Sequence, residues 1–173
     1  MVVVLDWVTG LIHGVEVDTL STVTALSWHP WKGSVLAVGS LAGDITLMNF
    51  AKCRVTTAQY RGRRGRLVGV TALSFSPRTG ELVVAFSGKG DKQVVVLSDL
   101  KTVVDRVLGH ADTVQHLRWS PDGAVLATAG SDEMLCVWNF LGAKATRELR
   151  RKALQHAREV RSGLTRQFGC VIR

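Results

Sequence analysis

The sequence lacks the patterns that mark membrane-spanning and secreted proteins. No apolar run approaches the roughly 18 residues that a membrane-spanning helix needs, and the opening Met-Val-Val-Val-Leu carries neither a basic leader nor a cleavage site. The three cysteines, at positions 53, 136 and 170, are odd in number and widely spaced. They indicate no disulfide framework, so we expect a reducing compartment, the cytoplasm and nucleus, and no membrane contact.

Motifs for catalysis and for cofactor binding are also missing. The chain has no P-loop, no Gly-x-Gly-x-x-Gly and no nucleophile turn. Its five histidines are scattered, and no Cys-x-x-Cys or His-x-x-x-His spacing indicates a metal site. We therefore expect a protein that is not an enzyme and that holds no cofactor and no metal.

Positive charge is present in excess, and it is unevenly placed. The chain has 173 residues, of which 46% are hydrophobic, and a formal net charge of +8. Nine Lys or Arg and two Glu lie from residue 144 onward, so seven of the eight net charges are in that segment. The composition predicts one globular body, residues 1–143, that is close to neutral and is followed by a basic tail.

The stretch Leu108–Phe140 shows the clearest local pattern. Short apolar runs over Val114–Trp119, Ala124–Ala129 and Met134–Trp138 are separated by two turns, Ser120–Gly123 and Gly130–Glu133. Such runs between turn residues predict antiparallel strands. A Gly-His start and a tryptophan near the end are typical of one blade of a WD-repeat propeller.

Two degenerate copies of this unit precede it. Residues 23–50 and 70–100 share Val-Thr-Ala-Leu-Ser, an aromatic residue and a proline, and the prolines of the three repeats are 47 and 44 residues apart. Met48 and Leu97 stand where Trp138 stands in the third repeat, 110–140. Residues 2–12 resemble the last strand of a further blade, so the chain is expected to begin inside a blade, as a C-terminal fragment or a truncated product.

The predicted fold class is therefore all-β: a partial WD-repeat β-propeller of about three and a half blades. Residues 144–163 carry an apolar stripe at helical spacing in a charged background, which predicts a basic helix. Residues 164–173 follow as an extended tail. Between the first two repeats, Arg61–Arg66 is interpreted as a solvated connection, and binding of nucleic acid or of an acidic partner is the alternative.

WD repeats commonly hold a buried hydrogen-bond network in each blade, and the third repeat has residues for it. His110, Thr128, Asp132 and Trp138 stand at the positions of its histidine, hydroxyl, aspartate and tryptophan. Although a Thr-His-Asp set resembles a catalytic triad, we interpret it as structural, because no oxyanion motif accompanies it.

The sequence resembles the Fizzy/Cortex-type WD-repeat activators of the anaphase-promoting complex, aligned to the C-terminal half of that family. The Trp28-His29-Pro30-Trp31 turn, the Gly88–Gln93 loop before a valine-rich strand and the Gly-His, Ser-Pro-Asp-Gly and Asp-Glu motifs of the third repeat carry the resemblance. The chain also ends in Ile172-Arg173, and an Ile-Arg terminus is the docking tail of the family.

The resemblance implies an activator and substrate adaptor of this ubiquitin ligase in the cell cycle. Ile172 and Arg173 would bind a tetratricopeptide-repeat subunit, and Glu133 would contact the arginine of destruction-box substrates such as cyclins. Asp132 would stay in its turn. Meiotic use follows only for a Cortex-type member. Gly69 and Thr113 occupy the places of the residues that read Lys-Glu-Asn degrons in the family, so that recognition is not expected.

The resemblance also shows departures and leaves alternatives. The first blade of the family, which forms half of the destruction-box pocket, has no counterpart in the sequence, nor has the N-terminal box that activates the ligase. A generic WD-repeat scaffold in another complex is the main alternative. Nucleic acid is the least favoured partner, because the basic tail has no aromatic residue except Phe168.

Overall fold

The computed structural model describes residues 2–5, 8–10, 12–15, 21–61, 65, 67–87, 94–107 and 109–140, and they confirm the predicted all-β partial propeller. The predicted basic helix, 144–163, and the tail, 164–173, lie outside the described residues. Residues 1–140 form one compact unit. Within the described part of the chain, no helix is long and apolar enough to cross a membrane.

The strands form a hairpin and three blades, each built from antiparallel neighbours in chain order. The N-terminal hairpin contains β1 (Val2–Leu5) and β2 (Ile12–Val15). The first blade contains β3 (Val23–Trp28), β4 (Val35–Ser40), β5 (Asp44–Asn49) and β6 (Arg54–Gln59). The second contains β7 (Val70–Phe75), β8 (Leu82–Phe86), β9 (Val94–Asp99) and β10 (Thr102–Val107). The third contains β11 (Val114–Trp119), β12 (Val125–Gly130) and β13 (Leu135–Asn139).

Three strands, β2, β6 and β10, are not expected from the sequence. The sequence predicts that residues 2–12 contain the last strand of a blade, but β1 pairs with β2, and Gly10 between them has φ 69°. β1 is therefore followed in its sheet by β2 and is not the last strand, contrary to the prediction from the sequence. The first and second blades likewise gain a fourth strand, β6 and β10, beyond the repeats 23–50 and 70–100. β6 and β10 contain no buried residue and mix polar with apolar side chains irregularly, so they give a weaker sequence signal than the buried strands.

The core lies between the blades. β8 is buried along its whole length, and the first four residues of β9 are buried too, because the second blade has a neighbour on each face. One cluster, which includes Ile45, Leu73 and Val84, fills the space between the first and second blades. A second cluster, with Val83, Leu117 and Trp138, fills the next space. Continuous valine-rich strands follow from this two-sided burial.

The strand register establishes which positions are equivalent among the blades. Met48, Leu97 and Trp138 pair with Leu36, Leu82 and Leu126, respectively. These leucines in turn pair with the last residue of each first strand. The two aliphatic residues thus stand where the sequence alignment put them, in the place of the tryptophan.

A threonine at the start of each of the first two blades hydrogen-bonds to the next blade. Thr24 Oγ1 donates to the carbonyl of Val70 at 2.5 Å, and Thr71 Oγ1 donates to the carbonyl of Val114 at 2.5 Å. The third blade has Gln115 at this position, and its Nε2 donates instead to Ser131 Oγ of the same blade, at 2.8 Å. Among the described residues, the internal repeat therefore includes a bond between blades that the first two blades make and the third does not.

The turns between the first and second strands also pack on one another. Gly80 has φ 70°, and a Cβ there would lie 2.7 Å from the indole of Trp31 in the preceding blade. Gly123 has φ 66°, and a Cβ would lie 2.6 Å from Pro77. Glycine is needed at both positions for the backbone conformation and for the close approach of the neighbouring turn.

We predict that Thr71→Val destabilises the chain although it removes only a hydroxyl group. The free energy of unfolding should fall by about 1 kcal/mol, because the carbonyl of Val114 loses its donor between the blades. Chemical denaturation measures the change, and Thr56→Val on β6 is the control. Equal effects of the two substitutions would show that the bond between blades contributes nothing.

Candidate functional site

The third blade holds a continuous chain of side-chain hydrogen bonds. His110 Nδ1 lies 3.0 Å from each carboxylate oxygen of Asp132. His110 Nε2 lies 2.7 Å from Thr128 Oγ1, and Trp138 Nε1 donates to the same oxygen at 2.9 Å. The structure thus brings together the four residues proposed for the network: His110, Thr128, Asp132 and Trp138.

The donors and acceptors of this network fit one arrangement of protons. The indole N–H of Trp138 can only donate, so Thr128 Oγ1 accepts from it and is left with one proton to give. That proton goes to Nε2 of a neutral His110, whose Nδ1–H then donates to the Asp132 carboxylate. Every polar atom has a partner in this arrangement, which makes the network a rigid connection between strand and loops.

Burial separates this network from a catalytic triad. Thr128 is fully buried, and the side chains of His110 and Asp132 are 2% and 6% exposed. A nucleophile must reach its substrate, whereas this hydroxyl is enclosed and already accepts the Trp138 proton. Among the described residues, no group of three or more His, Cys, Asp or Glu could hold a metal ion.

Asp132 also fixes the backbone around it. Its carboxylate accepts hydrogen bonds from the N–H of Ala111 at 2.7 Å and from the N–H of Met134 at 3.2 Å. Burial raises the pKa of Asp132, but the bonds from His110 and from these two amides outweigh it and lower the pKa to about 2. The carboxylate is therefore ionised at neutral pH and holds both loops at this end of the blade.

In the first two blades, the positions equivalent to Thr128 and Trp138 hold apolar residues. Val38 and Val84 stand in the register of Thr128, and the tryptophan is replaced as described above. The hydroxyl and the indole are thus lost together in each blade. This joint loss is expected, because either group alone would be a buried polar atom without a partner.

Glu133 projects from the turn that Asp132 holds. It is exposed, and its φ of 60° is in the left-handed region that side chains avoid. The first blade has a turn of the same length, and Gly43 occupies the corresponding position with φ 87°. A glutamate in a conformation that suits glycine costs about 1 kcal/mol. The surrounding turn imposes this conformation, so the backbone from which the Glu133 side chain extends is held in place.

The other predicted residues are distributed differently. Ile172 and Arg173 lie outside the described residues. Thr113 and Gly69 act as backbone hydrogen-bond acceptors: Thr113 O accepts from Ser131 N at 2.9 Å, and Gly69 O accepts from Ser87 N at 2.7 Å. Gln115 is not among the predicted residues, although a glutamine in place of the threonine of the Val-Thr-Ala-Leu-Ser pattern is visible in the sequence.

We predict that Asp132 makes the stability of the chain depend on pH in acid. Between its ordinary pKa of 3.8 and about 2, the unfolded chain binds a proton that the folded chain excludes. The free energy of unfolding should therefore fall as the pH falls through this range, and the contribution is complete above it.

Thermal unfolding of the wild-type chain and of Asp132→Asn at several pH values measures this contribution. The difference in Tm should be largest above pH 4 and shrink toward pH 2. Asp112→Asn is the control, since this exposed carboxylate accepts a bond only from the adjacent amide of Thr113. A wild-type advantage that is constant with pH would contradict the assignment.

Comparison with known proteins places the chain among WD-repeat proteins of the cell cycle. The family described as WD domain, G-beta repeat, matches residues 101–139. Protein cortex of Heliconius erato is 36% identical over 156 residues, which cover 82% of the chain and 34% of that relative. Protein FIZZY-RELATED 1 of Arabidopsis thaliana is 31% identical over 121 residues, 68% of the chain and 23% of the relative.

Two further similarities agree with these. Cell division cycle 20.1, cofactor of APC complex, from Arabidopsis thaliana is 28% identical over 138 residues, 80% of the chain and 29% of the relative. A chain of the crystal structure of the mitotic checkpoint complex superposes with a TM-score of 0.65 at 24% identity, over 77% of this chain and 40% of that one, which shows a common fold. The chain spans about a third of the length of its cortex relative. On sequence similarity and repeat architecture together, the chain belongs to the Fizzy/Cortex-type WD-repeat proteins.

Proposed function

We propose that the chain acts as a substrate adaptor and activator of the anaphase-promoting complex, a ubiquitin ligase. The observation that carries the proposal is the exposed carboxylate of Glu133 in a left-handed turn, above a buried network that fixes its backbone. Strained backbone at an exposed side chain is typical of binding sites. One relative is described as a cofactor of the APC complex, and this similarity supports the choice of ligase.

Substrate recognition is proposed to depend on Glu133. The arginine of a destruction box carries a planar guanidinium group, and a carboxylate binds it through two parallel hydrogen bonds. Asp132 is already committed to His110 and to two backbone amides, so Glu133 is the carboxylate of this turn that can take the arginine. Cyclins and other destruction-box proteins would be the substrates.

We predict that Glu133→Gly weakens binding of a labelled destruction-box peptide by about tenfold, or about 1.4 kcal/mol. The fold should persist, with the free energy of unfolding unchanged to within about 1 kcal/mol, because Gly43 takes the same conformation in the first blade. Glu133→Gln should lose the same affinity while keeping the strain. Fluorescence anisotropy measures binding, and thermal unfolding measures stability.

A peptide with alanine in place of its arginine completes this test. If Glu133 binds the arginine, the two changes together should weaken binding no more than either one alone. Additive losses would show that Glu133 acts elsewhere. Variants that bind the original peptide as well as the wild-type chain would remove Glu133 from the site.

Ligase docking is proposed to depend on the last two residues. A C-terminal arginine offers a guanidinium group and a carboxylate, and Ile172 offers an apolar anchor before it. A groove of a tetratricopeptide-repeat subunit can bind all three groups. The basic segment from residue 144 would increase the rate of association with an acidic partner surface.

We predict that removing Ile172 and Arg173 abolishes co-precipitation of the tetratricopeptide-repeat subunit of the ligase. Adding one glycine after Arg173 is a sharper variant, because it keeps both side chains and only moves the carboxylate. It should reduce capture strongly as well. Ligase capture that survives both changes would contradict the docking role, and a different set of partners would favour a WD-repeat scaffold in another complex.

Two further parts of the proposal concern place and timing. The chain would work in the cytoplasm and nucleus, and a meiotic role belongs to it if the Cortex-type similarity extends to function. Imaging of the tagged protein tests the first part. Comparing its abundance in dividing germ cells and dividing somatic cells tests the second, since equal abundance would argue against specialised meiotic use.

A further inference from the structure

A basic and apolar surface lies at the junction between the first and second blades. We propose that this surface binds an acidic peptide segment with an aliphatic anchor residue. We call this surface the basic–apolar patch and define it by four residues: Leu41, Tyr60, Arg61 and Leu67. The proposal is independent of the ligase contact and of Glu133.

Backbone packing brings the members of the patch together. The turn that contains Leu41 and Gly43 lies against residues 68–69: a Cβ on Gly69 would be 2.6 Å from the carbonyl oxygen of Leu41, and one on Gly43 would collide with the carbonyl of Val68. Arg61 forms an antiparallel bridge with Leu67. Three separate parts of the chain therefore meet at this surface.

The two leucines of the patch expose more than half of their surface. Leu41 is 57% and Leu67 is 60% exposed. Tyr60, half-buried, stacks on Phe86 with ring centroids 4.2 Å apart and an interplanar angle of 19°. Arg106 Cζ also lies 6.0 Å from the centroid of this ring, so Tyr60 already contacts Phe86 and Arg106, and the two exposed leucines are the groups that would hold an aliphatic side chain.

Positive charge predominates in the sequence segment that supplies Tyr60, Arg61 and Leu67, and the carboxylate of Asp44, beside the Leu41 turn, accepts a hydrogen bond from Ser40 Oγ at 3.2 Å. Between Asp44 and Glu81 the sequence has no acidic residue and has seven Lys or Arg, four of which lie within Arg61–Arg66. Arg61 itself is exposed, and its Nη2 donates to Gln59 Oε1 at 3.0 Å, which leaves further guanidinium donors for a ligand. Such a field attracts an acidic segment and repels a basic one. Charge and apolar exposure together specify the partner chemistry.

The test uses two labelled peptides of equal length, one alternating glutamate and leucine and one alternating lysine and leucine. Anisotropy should show that the full chain binds the acidic peptide at least about tenfold more tightly. Arg61→Glu should weaken that binding by about tenfold. The double variant Leu41→Ser with Leu67→Ser should weaken it by a similar factor through lost apolar contact.

Matched controls come from the same blade. Arg54→Glu reverses an exposed charge at the far end of β6, and Val55→Ser removes an apolar side chain that is 48% exposed. Both should bind like the wild-type chain, and thermal unfolding should show that all variants are folded. Equal binding of the two peptides, or equal loss in the control variants, would overturn the proposal.

A single-stranded RNA oligonucleotide provides the last arm. Electrostatic binding of nucleic acid would depend on Arg61 and on salt but not on the two leucines. If the RNA binds more tightly than the acidic peptide, and the leucine double variant binds the RNA normally, the surface is a nucleic-acid site and the proposal is wrong. If the RNA binds more weakly, the leucine-dependent peptide contact stands.

Discussion

The structure depends on one constraint, that a blade is stable only when neighbouring sheets cover its faces. The second blade satisfies it on both sides and has the most apolar strands, β8 and β9. Thr24 and Thr71 strengthen the same contacts by donating to carbonyls of the next blade. These two bonds pair the threonine hydroxyls within an otherwise apolar contact and link specific positions of neighbouring sheets.

The third blade meets this constraint differently on its two faces. Towards the second blade, Leu117 and Trp138 pack in a shared core, and the network anchored by Asp132 fixes the loops above it. On the other face Leu135 and Val137 are 71% and 64% exposed. The polar network thus secures a blade that has an apolar neighbour, within the described residues, on one side only.

The sequence predicts those features that repeat and leaves out those that arise between repeats. Aligning the Val-Thr-Ala-Leu-Ser segments was enough to equate Met48, Leu97 and Trp138, because strand pairing keeps register within each blade. The bond from Thr71 to Val114 was not predictable, since its acceptor lies 43 residues away in another sheet. Likewise, the left-handed conformation of Glu133 is imposed by the turn and not by its own preference.

The exposed face of the third blade also has different side chains from the faces that the first and second blades turn towards their next neighbour. At the first-strand positions that face the next blade, the first blade has Ala25 and Ser27 and the second has Ala72 and Ser74, whereas the third has His116 and Arg118. Small side chains allow sheets to approach closely, and Ser27 even accepts a bond from Phe75 N at 3.3 Å. Two long polar side chains prevent that approach. A sheet that covered this face would have to stand further away or present acceptors to both side chains.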